Sequence, residues 1–274
     1  MLRNALLAFV LTPAALAATA QARRAAIVSG GTRGIGRGIA DALADGNFDL
    51  LLTFNADEEA ANTAAAEIRE AHAGCTVGCV GGDVSLEATR DAIFARYDEM
   101  FKDTHELGAV VHNAGQYVGI TSDNADGLSA STVGFGDGSL LGDDGRPQLS
   151  VMKYYQRMYG DAYVDLCERG LARMAAGGSL IGISSPGCTL QYKANLGYDM
   201  PGSGKCIMEY AMRLFAVRAA AKGVNCNVVV PGVTATDAWG KLAETRGTTK
   251  VCAHAWHACP CPCPCPCPCP CPCA

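Results

Sequence analysis

The sequence predicts an α/β fold: a single domain built on a doubly wound parallel sheet, with helices on both faces in three layers. Three observations carry this. Ala25-Ala26-Ile27-Val28 is a short, uniformly apolar run, too short for an amphipathic helix and therefore a buried strand. It leads directly into Gly30, Gly34 and Gly36, and residues 35–44 then carry a helical pattern. Beyond them, strand-like and helix-like segments alternate at the spacing of successive βαβ units, which implies a parallel sheet.

Taken in order, residues 48–54 read as the second buried strand, and residues 58–71 as a strong helix former rich in Ala, Glu and Arg. A third strand spans 76–80 and ends in Gly81-Gly82-Asp83-Val84. Residues 86–101 give the next helix, and 107–112 a fourth strand closed by Asn113-Ala114-Gly115. Residues 121–147 break the rhythm. They are rich in Gly and Asp, lack periodicity, and read as a long loop at the carboxyl end of the sheet or an insertion near the active site. Helix resumes over 153–176, a fifth strand spans 179–183, and a further helix covers 208–221. The sixth strand, 225–230, is stopped by Pro231-Gly232.

The flanks of the chain differ from its body. Residues 1–22 hold Arg3 ahead of an uncharged stretch, and Ala20-Gln21-Ala22 fits a small-x-small cleavage site. A targeting segment is expected, for secretion or, given Arg23, Arg24 and the lack of acidic residues before Asp41, for an organelle. The chain would be cytoplasmic if the segment is retained. Residues 23–249 form the expected domain. Residues 250–274 are set apart as a low-complexity tail: eight of the fifteen cysteines lie between Cys259 and Cys273 in strict Cys-Pro alternation. Every second residue of that repeat lacks an N–H, so extended polyproline-like chain is expected. Such a repeat is what a six-base microsatellite would encode; a soft-metal role for its thiols is the less favoured reading. The other seven cysteines show no paired C-x-x-C spacing, so neither a metal site nor a disulfide framework is expected in the domain. Net charge is −5 without a basic stripe, which gives nucleic-acid binding no support. Beyond the first segment no apolar run is long enough to span a bilayer.

The glycine turn suggests chemistry. A turn without side chains lets backbone approach a pyrophosphate closely, and the helix that follows points unpaired N–H groups and its positive dipole end at that anion. Gly30, Thr32, Arg33, Gly34, Ile35 and Gly36 are therefore candidate dinucleotide contacts, against the alternative of a bare structural turn.

With the remaining motifs the chain resembles the short-chain dehydrogenase/reductase family over residues 24–239. The matching pieces are Gly30-x3-Gly34-x-Gly36, Asp83-Val84, Asn113-Ala114-Gly115, Ser185, Tyr198 with Lys205, and Pro231-Gly232 with Thr236, in family order on a Rossmann-type sheet. The resemblance implies that Asp83 accepts from the adenine amine with Val84 against the ring, although Asp83 also suits a helix cap. It implies that Asn113, Ala114 and Gly115 pass close to the nicotinamide ribose, that Pro231 and Gly232 wall the nicotinamide, and that Thr236 reaches its carboxamide or the phosphates. The second strand ends Thr53-Phe54-Asn55, which places Asn55 in the same set. A cation at Arg33 and no carboxylate at Phe54 favour a 2′-phosphate, hence NADP over NAD; Asp57 keeps NAD open.

Tyr198 would exchange the proton at a substrate oxygen, Lys205 would favour its phenolate and, as in the divergent enoyl-reductase branch, grip the cofactor ribose, and Ser185 would donate to that oxygen, with Ser184 as the adjacent alternative. The resemblance implies a small-molecule or acyl substrate, a carbonyl reduction, and homo-oligomers among relatives. Three departures qualify it. Tyr198 and Lys205 lie seven residues apart rather than four, as in the divergent enoyl-acyl-carrier-protein reductases, so enoyl-thioester reduction is a second reading. A nucleotide-binding relative without catalysis is a third. No Asn falls near residues 156–159, where many relatives place one in a proton relay; Gln156 or water would substitute. Past Thr249 the family's last strand is not recognisable, which would leave a sheet edge and apolar surface uncovered.

Overall fold

The computed structural model describes residues 23–116, 141, 144–147, 149–188, 199–232 and 234–237. The targeting segment, Tyr198, most of the 121–147 loop, the Cys-Pro tail and the expected last strand lie outside the described residues.

Six parallel strands, β1 (Arg24–Ser29), β2 (Phe48–Phe54), β3 (Val77–Gly81), β4 (Leu107–His112), β5 (Met174–Ile183) and β6 (Asn225–Val229), form one sheet in the order β3-β2-β1-β4-β5-β6. The chain starts in the middle, winds outward through β2 and β3, then crosses back to β4. That reversal opens a crevice beyond the ends of β1 and β4, where ligands of such sheets bind. At its floor Ile27 pairs with Leu51 on one side and Val110 on the other, after a single register shift between Ala25 and Ala26 in the β1–β4 pair.

Alternate residues of each strand serve two different cores. On one face Ala26, Val28, Leu50, Leu52, Ala109 and Val111 meet α1 (Gly34–Asp45) and α2 (Glu58–Ala71), which present Ala40, Ala44, Ala65 and Ile68. Ala-rich helices can lie close to a sheet. On the other face Ile27, Leu51, Val110 and Leu180 meet α3 (Glu87–Phe101), a long helical segment from 150 to 173, and α6 (Asp199–Ala220). This face is aromatic, with Phe94, Tyr97, Tyr155 and Tyr163 fully buried or nearly so.

The helical segment comprises α4 (Ser150–Tyr155), a π-helical stretch (Gln156–Asp161) and α5 (Ala162–Arg173). It ends earlier than sequence periodicity suggests. Met174 begins β5, and the register between β4 and β5 shifts between Leu107 and Ala109, so Ala175, Ala176, Gly177 and Gly178 are an irregular strand lead-in rather than helix. Their Ala and Gly composition matches the helix before them, which is why the boundary is hidden.

A larger correction concerns α6. It starts at Asp199 rather than near Met208. Pro201 and Gly202 read as breakers, but proline is tolerated in a first turn, where its missing N–H would have no partner. Gly204 is there for proximity: a Cβ at this position would lie 2.1 Å from the Tyr155 carbonyl oxygen, so α6 and α4 cross at near backbone contact.

Candidate active site

The β1–α1 turn is built for close approach. Gly30 and Gly34 adopt φ of +63° and +56°, the left-handed region that glycine enters without a Cβ penalty. A Cβ on Gly36 would lie 2.0 Å from the Gly30 carbonyl oxygen, so only glycine lets α1 begin here. Thr53 stitches the turn to β2: its Oγ1 accepts from Gly30 N (3.0 Å) and its carbonyl from Gly31 N (3.2 Å). Arg33 occupies the cap position of α1 in extended conformation and offers no side-chain cap, so the first-turn N–H groups face the crevice without a side-chain acceptor. Thr32 and Ile35 are half-buried and Arg33 is exposed. Arg37, the next cation, is already paired with Asp41 and Glu67.

β4 closes the other side. Asn113 Nδ2 donates to the carbonyls of Ser29 (3.2 Å) and Gly30 (3.0 Å), fastening Asn113-Ala114-Gly115 to the glycine turn. Ser29 Oγ accepts from Asn113 N and Ala114 N, both at 3.0 Å, and lies 2.9 Å from His112 Nδ1. His112 Nε2 lies 2.9 Å from the Met158 carbonyl oxygen. These contacts fix the tautomer. Nε2 must carry the proton to meet a carbonyl, so Nδ1 accepts from the Ser29 hydroxyl. Complete burial lowers the His112 pKa to about 4, and the ring is neutral.

The π-helical stretch continues the site. π turns in helices recur at functional positions. A Cβ on Gly115 would lie 2.6 Å from the Tyr159 hydroxyl, and Lys205 Nζ sits 4.8 Å from the Tyr159 ring centroid. Tyr159 also stacks on Tyr155, with centroids 5.9 Å apart. Lys205 is thus buried at the crevice, and burial pulls its pKa down to about 8, opposed by Cys188 and Glu209.

The turn after β5 reaches the same place. Ser185 is half-buried, whereas Ser184 is buried and its Oγ donates to Glu209 Oε1 at 2.5 Å. Of the two serines, Ser185 has the free aspect. Ser184 N donates to Val229 O (2.8 Å), which brings the end of β6, and Pro231-Gly232 after it, alongside. Thr236 closes the ring: a Cβ at Gly34 would lie 3.4 Å from its methyl.

Asp83 holds its own turn. Its Oδ1 accepts from Ser85 N at 2.8 Å and its Oδ2 from the Tyr154 hydroxyl at 3.3 Å, with Gln116 Nε2 donating to Tyr154 in turn. The turn-capping role is therefore filled, and Val84 beside it is buried. Asn55 is exposed beyond β2. Gln156 is half-buried in the first π position, while Tyr159 faces both Gly115 and Lys205. Tyr159, His112 and Glu209 are site residues that sequence motifs did not single out. Glu209 carried one signal, its position four residues after Lys205 on one helix.

Among the described residues, no group of three His, Cys, Asp or Glu side chains could hold a metal ion, and no helix is long and apolar enough to cross a membrane. The order of the sheet, the glycine turn at its switch point and the buried lysine across the crevice define a dinucleotide-binding α/β protein. The description "short chain dehydrogenase" matches residues 24–132, and "Enoyl-(Acyl carrier protein) reductase" matches residues 157–258. Together these matches take in most of the chain, which belongs to the short-chain dehydrogenase/reductase family. It is 28% identical over 222 residues to carbonyl reductase family member 4 of Danio rerio, covering 81% of this chain and 80% of the relative. It is 26% identical over 219 residues to 1-cyclohexenylcarbonyl-CoA reductase of Streptomyces collinus, covering 80% and 68%. Its fold is similar to that of a short-chain dehydrogenase from Burkholderia cenocepacia solved with NADP, at a TM-score of 0.62 and 22% identity over 80% of this chain and 77% of the other.

Proposed function

We propose that the protein is an NADP-dependent reductase that converts a carbonyl on a small or acyl substrate to an alcohol. The observation that carries this reading is the buried Lys205 ammonium, packed on the ring of Tyr159, whose hydroxyl in turn meets Gly115 at the end of β4. The residues present fit the cofactor. Gly30, Gly34 and Gly36 leave the space that side chains would fill, and the uncapped α1 N-terminus offers donors to a diphosphate. Arg33 has no carboxylate partner among the described residues and suits a 2′-phosphate. When bound, the reduced nicotinamide supplies the hydride.

The chain's own groups handle the oxygen. Tyr198 delivers a proton to the substrate oxygen as negative charge grows there, and Lys205 favours the phenolate that remains. Ser185 donates to the same oxygen and orients it. The test is consumption of NADPH with a panel of ketones and 3-oxoacyl thioesters, wild type against Tyr198→Phe. Turnover by the wild type, lost in the variant, supports the reading; no turnover on any carbonyl overturns it.

A second reading, enoyl-thioester reduction, is favoured by the seven-residue interval from Tyr198 to Lys205 and by the match over residues 157–258. A 2-enoyl thioester in the same panel separates the two. Binding of NADPH with no turnover of either class would assign the chain to the non-catalytic relatives.

A further inference from the structure

Glu209 stands one turn beyond Lys205 on α6, and its carboxylate is the meeting point of groups from another element. Ser184 Oγ donates to Oε1 at 2.5 Å, and Cys188 Sγ lies 3.4 Å from the same oxygen. Cys188 Sγ also lies 3.0 Å from Ser184 Oγ and 2.9 Å from the Ser185 carbonyl, so thiol, hydroxyl and carboxylate form one cluster. Ser184 and Cys188 bracket Ser185 in the segment leaving β5. Two further tethers hold that segment: Ser184 N–H donates to Val229 O on β6, and Cys206 Sγ of α6 lies 3.1 Å from the Cys188 carbonyl oxygen.

Groups from four elements act on the Lys205 ammonium: the Tyr159 ring from the π-helical stretch packs against it, and the neutral His112 from β4, Cys188 from the turn after β5 and Glu209, one turn on along α6, lie within electrostatic reach. Among these groups Glu209 is the carboxylate. A buried ammonium loses its proton readily, and a nearby anion opposes that loss.

We propose that Glu209 is a positioning residue with two tasks: its carboxylate clamps the Ser185 segment to α6, and its negative charge keeps Lys205 protonated. This rests on the reading of Ser185 and Lys205 given above. The two tasks separate by substitution. Glu209→Gln keeps an oxygen for Ser184 but removes the charge; Ser184→Ala removes the shorter, hydroxyl arm of the clamp, leaves the Cys188 contact, and keeps the charge.

In the full chain, the alkaline limb of kcat/KM for NADPH and a ketone is expected to move down by about one pH unit in Glu209→Gln, with little change in Tm. Ser184→Ala is expected to lower kcat severalfold and to leave the limb in place. A readout independent of turnover is the NMR titration of Lys205 in lysine-labelled protein, its signal assigned by comparison with Lys205→Arg. That titration is expected near pH 8 in the wild type and lower in Glu209→Gln. An unmoved Lys205 titration in Glu209→Gln overturns the charge role, and unchanged kcat in Ser184→Ala overturns the clamp. If the wild type turns over no carbonyl, the reductase reading fails on its own, and the titration still decides whether Glu209 governs Lys205.

Discussion

On the β1–β4 side of the crevice the site is made of backbone: a glycine turn, an uncapped helix end, and Asn113 laced to two carbonyls. On the β5–α6 side it is made of charge and polar groups: a buried ammonium, and beside it a carboxylate, a hydroxyl and a thiol in one cluster. The first half gains its fit by leaving atoms out, and a single added carbon would spoil it. The second half holds an ammonium out of water, where burial lowers its pKa and neighbouring groups oppose that shift. Rigidity belongs to the cofactor side and tunability to the chemical side.

The sharpest way to break this contrast is Gly36→Ala. With 2.0 Å to the Gly30 carbonyl, the added methyl forces backbone apart. A loss of about 3 kcal/mol or more is expected, read as a lower Tm and no detectable NADPH binding by calorimetry.

Next comes His112, which lies at the join. Its pKa is about 4 in the fold against 6.5 when exposed, so the folded state refuses a proton that the unfolded chain accepts. The stabilisation is complete above about pH 6.5 and is lost as pH falls from there towards 4, by roughly 3 kcal/mol in all. Urea unfolding across that range should show a steeper decline for the wild type than for His112→Gln, whose side chain does not titrate.

Lys205→Met is expected to reduce kcat/KM about 100-fold, roughly 2.7 kcal/mol, while leaving the glycine turn and much of the NADPH affinity intact. If binding vanished along with turnover, the division between the two halves would be wrong. The smallest effect is at Arg33. Arg33→Ser should raise KM for NADPH about tenfold, or about 1.4 kcal/mol, and leave NADH unaffected, as expected for one exposed charge-assisted contact.

The same contrast explains what could be read in advance. β2, α2 and β4 have the predicted bounds because each is a run of one composition between clear breakers. The glycine turn was legible since its signal is local. The start of α6 was not, because Pro201 and Gly204 act through a first turn and a helix crossing, neither visible in a window of sequence. The Ser29–His112–Met158 chain was equally hidden, its partners standing 83 and 46 residues apart. Glu209 showed its spacing from Lys205, but nothing local revealed that Ser184 would meet it. The placement of Tyr198 lies outside the described residues, so its role rests on motif and proposal.

The most direct test of the whole account is paired calorimetry and turnover on Tyr198→Phe and wild type with NADPH and a reactive ketone. The account predicts equal NADPH affinity in both proteins and turnover in the wild type alone. A wild type that binds no nicotinamide nucleotide, or a variant that turns over as fast as the wild type, would contradict it.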